Sequence, residues 1–200
     1  MSIAELPVTQ TPPPANGMAV RPLPDPYDYD GEFLFEVVNG VRVEKPMGLI
    51  ENLVASILFD RLASYCRANR SGWAVIETLF VIPDSGNDRK PDVAFVSYQR
   101  WPQDRPIPRV NAWPVVPELA VEVVSPNDKM FDVIEKVGEY FTAGVQQVWL
   151  ILSNVEQVFV FTSVAQVRVL TRADELTAEP LIPGFRMPLA GLFPLAETSH

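Results

Sequence analysis

One acidic residue inside an apolar strand pattern constrains this chain more than any other feature. The run from Leu119 to Val124 is apolar except for Glu122. Side chains alternate along a strand, so two opposite faces are predicted: Leu119, Val121 and Val123 on one, and Ala120, Glu122 and Val124 on the other. A buried carboxylate is costly unless it is paired, hydrogen-bonded or bound to a metal. The chain should therefore build a sheet with a polar site at one of its strands.

A second carboxylate stands in a comparable place. Asp92 leads the apolar run from Val93 to Val96. If this strand neighbours the Glu122 strand, the two carboxylates meet at one end of a sheet and form a hard oxygen site suited to Mg²⁺ or Mn²⁺. A lysine nearby would orient or activate water. The backbone carbonyl of Val123, beside Glu122, is a further candidate ligand.

The Glu122 strand is followed by a predicted helix that ends at Gly144. Asn127 or Asp128 should cap its start. Its buried stripe is predicted from apolar spacing, and comprises Met130, Ile134, Val137 and Phe141. Asp132, Lys136 and Tyr140 form a row at four-residue spacing on its flank. This row allows either an Asp132–Lys136 ion pair within the helix or a Lys136 side chain that reaches the Asp92/Glu122 pair.

The remaining pattern predicts one α/β domain, with a central mixed sheet of five or more strands flanked by helices. Residues 1–28 are rich in proline and predict a flexible arm, with the domain spanning 29–200. Within the domain we expect a hairpin at Asn39-Gly40, a helix over Leu49–Ala68, strands over Trp73–Ile82, Val148–Leu152, Val155–Thr162 and Gln166–Leu170, and a wrapping or edge segment over Glu179–Leu192. The proline-rich segment Tyr98–Val116 should cover the site, carry a partner surface or form a rigid connection with its tryptophans packed down.

Composition narrows the chemistry. The only histidine is His200 and the only cysteine is Cys66, which fits a buried thiol, so imidazole zinc sites and Ser-His or Cys-His catalysis in the core are not expected. The net charge of −9 lacks the basic cluster typical of nucleic-acid binding. No secretory signal or membrane span is visible, so we expect a cytoplasmic protein with no membrane partner.

The order of these motifs resembles a known family. The residues that carry the resemblance run from Pro91 to Val96, Leu119 to Pro126, Asp132 to Lys136, Tyr140, Ala143 to Val145, Val148 to Leu150 and Pro180 to Leu189. They resemble the PD-(D/E)xK nucleases and, more narrowly, the Uma-two family of restriction endonucleases. The resemblance implies a restriction-endonuclease-like core, a DNA substrate and a possible homodimer.

The resemblance also implies roles for individual residues. Asp92 and Glu122 would bind Mg²⁺ or Mn²⁺. Val124 stands where the pattern has its strand lysine, so Lys136 on the following helix is the candidate replacement. Glu77, another acidic residue on an apolar face, and Glu51, in the first turn of the Leu49 helix, are further candidate ligands. Glu36 in the hairpin is a weaker candidate for a direct role.

Two other functions fit the same residues. The missing strand lysine, the acidic charge and the proline-rich arm favour a non-catalytic member of the fold that acts as an interaction or regulatory module. A metal-dependent hydrolase of small phosphoesters would use the same site without a basic groove. A lysine within reach of Asp92 and Glu122 would favour an enzyme. A solvent-facing Lys136, with the carboxylates neutralised by internal hydrogen bonds, would favour the module.

Overall fold

The computed structural model describes residues 35–45 and 47–193. The predicted arm, residues 1–28, lies outside the described residues. In chain order the elements are β1 (Phe35–Val38), β2 (Val41–Glu44), α1 (Leu49–Asn69), β3 (Gly72–Ile76), β4 (Phe80–Val81), β5 (Asp88–Arg89), β6 (Val93–Ser97), β7 (Leu119–Val124), α2 (Met130–Ala143), β8 (Gln147–Leu152), β9 (Gln157–Ser163), β10 (Gln166–Thr171), β11 (Glu175–Thr177) and β12 (Arg186–Pro188).

The central sheet is mixed, as predicted. In the described part of the chain it has six strands in the order β10-β9-β8-β7-β6-β3. Strands β7 and β8 run parallel, and the other neighbouring pairs are antiparallel. A parallel pair needs a long crossover connection, which α2 provides. The expected α/β class with a helix-flanked mixed sheet is confirmed.

The two faces of β7 are covered by different helices. Leu58 and Leu62 of α1 share a buried cluster with Val121, whereas Val137 of α2 shares another with Ala120. Because Glu122 has the same parity as Ala120, its side chain lies on the α2 face. The predicted division of β7 into two faces is therefore confirmed, and the second helix lies over the carboxylate.

Strand register brings three acidic residues into one row. Val93 of β6 pairs with Val121 of β7, which places Asp92 opposite Glu122. On the other side of β6, Val93 pairs with Ile76, and the next residue, Glu77, donates its backbone N–H to the Asp92 carbonyl at 3.2 Å. Glu77, Asp92 and Glu122 thus stand side by side at one end of the central sheet.

The predicted single strand over Trp73–Ile82 is wrong. The chain leaves the central sheet at Glu77, whose φ of 47° lies in the left-handed region. It then forms β4, which pairs with β5 in a second sheet of order β2-β1-β5-β4. The break separates β3 from β4, whereas the continuous apolar pattern predicts a single strand.

The predicted buried stripe and cap of α2 need correction. Met130 and Ile134 are 44% and 47% exposed, while Val137 and Tyr140 are the residues of α2 classed as buried. The first turns of the helix border a cavity through Lys129, Asp132, Val133 and Lys136, and Met130 and Ile134 are not among its lining residues. Lys129 occupies the N-cap without a side-chain hydrogen bond. The Asp128 carboxylate, a predicted cap, instead accepts from the Ser125 N–H at 2.7 Å. Gly144 ends the helix in the left-handed conformation, as expected.

Other local predictions are confirmed. Asn39 and Gly40 have φ of 52° and 79° and turn the β1–β2 hairpin. In the segment over Tyr98–Val116, Trp101 and Trp113 are buried and contact each other edge to face at 5.3 Å between ring centroids. The expected packing of its tryptophans is confirmed, and its residues do not line the cavity beside α2. Residues 102–107 are exposed, and the partner surface stays a prediction. Neither helix in the described ranges has the length and apolar character required to span a bilayer.

Candidate active site

Asp92 and Glu122 share a cation that the sequence patterns did not indicate. Nζ of Lys45 lies 2.6 Å from Oδ1 of Asp92 and 3.1 Å from Oε2 of Glu122. It also donates to the Lys90 carbonyl at 2.7 Å. The second Asp92 oxygen accepts the Val123 N–H at 2.6 Å, which fixes the carboxylate against β7. The two carboxylates are therefore adjacent and bridged by an ammonium group.

The α2 helix contributes a second lysine from the opposite side. Nζ of Lys136 lies 2.9 Å from Oε1 of Glu122 and 2.6 Å from Oε1 of Glu36. Its side chain is 12% exposed. Tyr140, one turn later, donates its hydroxyl to the same Glu122 oxygen at 2.7 Å. Lys136 therefore points into the site, and within the described residues it forms no ion pair with Asp132, so the intrahelical interpretation is wrong.

Glu36 holds Lys136 in place from the hairpin side. One of its oxygens contacts Lys136 and accepts the Lys90 N–H at 2.9 Å, and the other lies 3.0 Å from an Arg89 guanidinium nitrogen. Arg89 in turn contacts Glu139 of α2 at 2.6 Å. This network fixes β1, β5 and α2 relative to one another around the Lys136 ammonium.

Burial and charge act in opposite directions on the two central carboxylates. Burial alone would raise the pKa of Glu122, but the charges of Lys136 and Lys45 and the hydrogen bonds from Lys136 and Tyr140 outweigh it and hold the pKa at about 2. For Asp92 burial prevails over Lys45, and with the nearby Glu122 charge it raises the pKa above the ordinary range. Burial alone would lower the pKa of Lys45, but the charges of Glu122, Asp92 and Glu36 outweigh it and raise the pKa, so Lys45 is protonated. The pKa shifts of the two carboxylates therefore differ in direction: Glu122 is held ionised, whereas burial favours the neutral form of Asp92.

Glu77 carries an unpaired carboxylate. Both of its carboxylate oxygens are buried and lack a hydrogen-bond partner among the described residues. Burial raises the pKa of Glu77 to about 7, with Lys45 opposing and Asp92 adding to the shift. Buried polar atoms are almost always satisfied in folded proteins, so the carboxylate of Glu77 beside Asp92 stands out as an unsatisfied group.

A cavity of about 230 Å³ opens onto this cluster. Its walls include Lys45, Asp92, Glu122, Val123 and Lys136, and also Glu51 of α1. The Glu51 side chain is buried, and its carboxylate lies close to Gly48. Within the described residues the Glu51 carboxylate has no hydrogen-bond or ion-pair partner. Glu51 therefore lines the cavity beside the Asp92/Glu122 pair.

Most of the residues that the sequence predicts for the site lie together. Asp92, Glu122 and Lys136 come together, Val123 and Glu51 line the same cavity, and Glu77 adjoins Asp92 through the sheet. No group of three or more acidic, histidine or cysteine side chains within residues 35–45 and 47–193 converges into a ready metal cage. Lys45 was missed because it follows a hairpin and belongs to no apolar pattern. The available signal was its position directly after the second strand of the hairpin that turns at Asn39-Gly40.

The chain was compared with known proteins. A family model described as "Uma2: Putative restriction endonuclease" matches residues 27–190. Among solved structures, a protein from Anabaena variabilis described as a putative nuclease belonging to DUF820 is similar, with a TM-score of 0.68, 20% sequence identity, and coverage of 80% of this chain and 89% of that chain. At this identity the likeness shows a shared fold. No curated protein matches the chain. The family match spans most of the sequence, and the chain belongs to the Uma2 family of restriction-endonuclease-like proteins.

Proposed function

We propose that this protein is a metal-dependent nuclease that hydrolyses phosphodiester bonds of DNA in the cytoplasm. The observation that carries the proposal is the approach of Lys136 to Glu122 at 2.9 Å, next to Asp92. This contact brings a lysine to the acid pair although Val124 stands where the family pattern has its strand lysine. The family match supports the same activity class.

The residues present fit a divalent cation such as Mg²⁺ or Mn²⁺. Asp92 and Glu122 offer two carboxylates, the Val123 carbonyl is a candidate third ligand, and hard cations prefer such oxygens. The carboxylate of Glu77 supports the same expectation, because its buried oxygens have no hydrogen-bond partner among the described residues. Glu51 is a further candidate ligand from the cavity wall.

The chain's own residues would divide the work. A bound divalent ion would lower the pKa of water and offset charge at the phosphate. Lys136 would position the attacking water or neutralise the scissile phosphate, because its ammonium lines the cavity and Glu36 and Glu122 hold it there. Tyr140 would keep the Glu122 carboxylate oriented through its hydrogen bond.

The interaction-module alternative has one observation in its favour. Lys45 neutralises Asp92 and Glu122 internally, as a non-catalytic protein would require. Lys136, however, is directed at Glu122 and not at solvent, which favours an enzyme. A small-phosphoester hydrolase would use the same cavity, and the net charge of −9 makes it a relevant competitor.

A homodimer would allow both strands of a duplex to be cut. Leu49 of α1 and Phe131 of α2 are 83% and 78% exposed. Each is close in sequence to residues that line the cavity, so a second copy covering them would hold two sites close together. Sedimentation of the wild-type protein and of Leu49→Glu and Phe131→Glu would show whether a dimer forms through these side chains.

The nuclease proposal is tested by nicking of a supercoiled plasmid with Mg²⁺ or Mn²⁺, and with EDTA as the blank. Asp92→Asn, Glu122→Gln and Lys136→Met should abolish nicking. Asp132→Asn is the matched control, because Asp132 lines the same cavity but is exposed and unpaired among the described residues. Hydrolysis of bis(p-nitrophenyl) phosphate without plasmid nicking would favour the small-phosphoester enzyme. A wild-type protein that does not nick DNA and binds no metal in calorimetry would favour the interaction module.

A further inference from the structure

The ammonium of Lys45 occupies a position with three oxygen neighbours. These are Oδ1 of Asp92, Oε2 of Glu122 and the Lys90 carbonyl, at 2.6, 3.1 and 2.7 Å. Two carboxylates and a backbone carbonyl are a donor set that a hard divalent cation also accepts. Lys45 therefore stands between the two carboxylates proposed to hold the metal.

The need for such a cation follows from burial. The side chains of Asp92 and Glu122 are 1% and 9% exposed and face each other across neighbouring strands. An uncompensated pair of buried negative charges would strongly destabilise the fold. Of the two carboxylates, Lys136 contacts only Glu122, through the other oxygen, so Lys45 is the described cation that touches both.

Lys45 also has a route away from the pair. Its side chain is 19% exposed, more than those of Asp92, Glu122 and Lys136, and it lines the cavity. It lies in the coil that follows β2, outside the ladders of the sheet. Its ammonium can therefore exchange its carboxylate contacts for the cavity without breaking a strand.

We propose that Lys45 is the resident cation of this site: its ammonium balances Asp92 and Glu122 until a divalent cation takes the same two oxygens, and it then turns into the cavity toward the substrate phosphate. This inference rests on the proposed nuclease function. It names a second functional lysine, supplied by the hairpin segment and distinct from Lys136 on α2.

The charge of the cavity would change when Lys45 is released. Among the described residues, the cavity is lined by three lysines, Lys45, Lys129 and Lys136, and by seven acidic residues, Glu36, Glu44, Glu51, Asp92, Glu122, Asp128 and Asp132. With a divalent cation on Asp92 and Glu122, the released Lys45 ammonium would add one positive charge for an incoming phosphodiester in this acidic surrounding. Metal loading and phosphate binding become linked through one side chain.

Calorimetry with Mn²⁺ provides the first test, on wild type, Lys45→Met and the control Lys129→Met. Loss of the competing ammonium should tighten Mn²⁺ binding by about tenfold or more in Lys45→Met, since each tenfold in affinity corresponds to about 1.4 kcal/mol. Lys129 lines the cavity without contacting either carboxylate, so its variant reports the general effect of removing one positive charge. Equal tightening in both variants would overturn the inference.

The second test uses the wild-type chain and so does not depend on a variant that folds. Acetylation by an amine reagent, read by mass spectrometry, should be slow at Lys45 without metal and become several times faster with saturating Mn²⁺, while Lys129 stays unchanged. If acetylation of Lys45 stays slow when Mn²⁺ is bound, the ammonium is not displaced and the inference is wrong.

The two failures are distinguishable. If neither wild type nor Lys45→Met binds Mn²⁺ and neither nicks DNA, the proposed function fails and the inference fails with it. If wild type binds Mn²⁺ and nicks DNA, but Lys45 stays protected and Lys45→Met binds no tighter, only the inference fails.

Discussion

The hydroxyl of Tyr140 donates a 2.7 Å hydrogen bond to Oε1 of Glu122, the oxygen that Lys136 also contacts. Tyr140 is fully buried, and proximity to the Glu122 and Glu36 charges adds to burial in raising the pKa of its phenol. The phenol is therefore a permanent donor. With Lys45 on the other oxygen, Glu122 has donors on both oxygens, which explains why a buried carboxylate is tolerated in β7.

Removal of this donor should weaken both the fold and the site. Tyr140→Phe keeps the ring but leaves Glu122 one hydrogen bond short, so we expect a loss of about 1.5–3 kcal/mol in the free energy of unfolding. A mispositioned carboxylate should also lower metal affinity and nicking by about tenfold. Urea unfolding and Mn²⁺ calorimetry measure the two effects.

Tyr65→Phe is the matched control. The Tyr65 hydroxyl donates to the Pro183 carbonyl at 2.7 Å, which is a neutral acceptor remote from the cavity-lining residues. This variant should lose about 1 kcal/mol of stability and none of its metal affinity. Equal effects of both variants on Mn²⁺ binding would refute a positioning role for Tyr140.

Replacing Glu77 should change stability and metal binding in opposite directions. The carboxylate is buried without a partner, so Glu77→Gln should raise the unfolding free energy of the metal-free protein by about 1 kcal/mol. The same variant should bind Mn²⁺ more weakly, because a candidate ligand loses its charge. Thermal unfolding in EDTA and calorimetry measure the two effects.

The stabilisation by Glu77→Gln should depend on pH. The pKa of Glu77 is raised to about 7 in the folded protein, above its unfolded value, so ionisation of Glu77 destabilises the fold. That cost is absent below the unfolded pKa of about 4.3, grows as pH rises, and is fully present above pH 7. The difference in unfolding free energy between variant and wild type should follow this course. A difference that is constant with pH would show that Glu77 has another environment.

Cys66 should be inert in the native protein. Its side chain is 1% exposed in α1, and burial raises the pKa of the thiol despite opposing effects of Ser71 and Arg67. Because the thiolate is the reactive form, labelling by iodoacetamide at neutral pH should be negligible until guanidinium unfolds the chain. Rapid native labelling would indicate that α1 opens locally.

Local pattern was sufficient for the acid pair but not for its lysine or for what surrounds them. Glu122 interrupts an apolar run and Asp92 leads another, which predicted the acid pair, whereas the spacing of Lys136 equally fitted an ion pair with Asp132 and its place in the site was implied by the family resemblance. Lys45 meets them through tertiary contacts alone, 47 residues before Asp92 in the chain, and no periodicity records such a contact. No glycine or proline lies at the break at Glu77, so the sequence predicted one strand.

The α2 stripe failed for a related reason. Apolar spacing assumes that a whole helix lies on the core, yet the first turns of α2 border a cavity lined by Lys129, Asp132 and Lys136. Met130 and Ile134, which do not line the cavity, are exposed although they follow the helical period. The departure from the pattern marks the candidate site, as expected where function competes with packing.

Glu36 provides the last prediction, because it holds Lys136 without approaching the Asp92 carboxylate in any described contact. Glu36→Gln removes the charge that Lys136 and Arg89 share, so we expect a loss of about 2 kcal/mol in unfolding free energy, less than for a fully broken buried pair because the amide still accepts hydrogen bonds. Lys136 would then be less well positioned, and nicking should fall about tenfold while Mn²⁺ affinity stays near that of wild type. Glu44→Gln is the control, since Glu44 is exposed on the neighbouring strand and lines the same cavity without an ion pair among the described residues. If Glu36→Gln weakened Mn²⁺ binding as much as nicking, Glu36 would act on the metal ligands and not through Lys136.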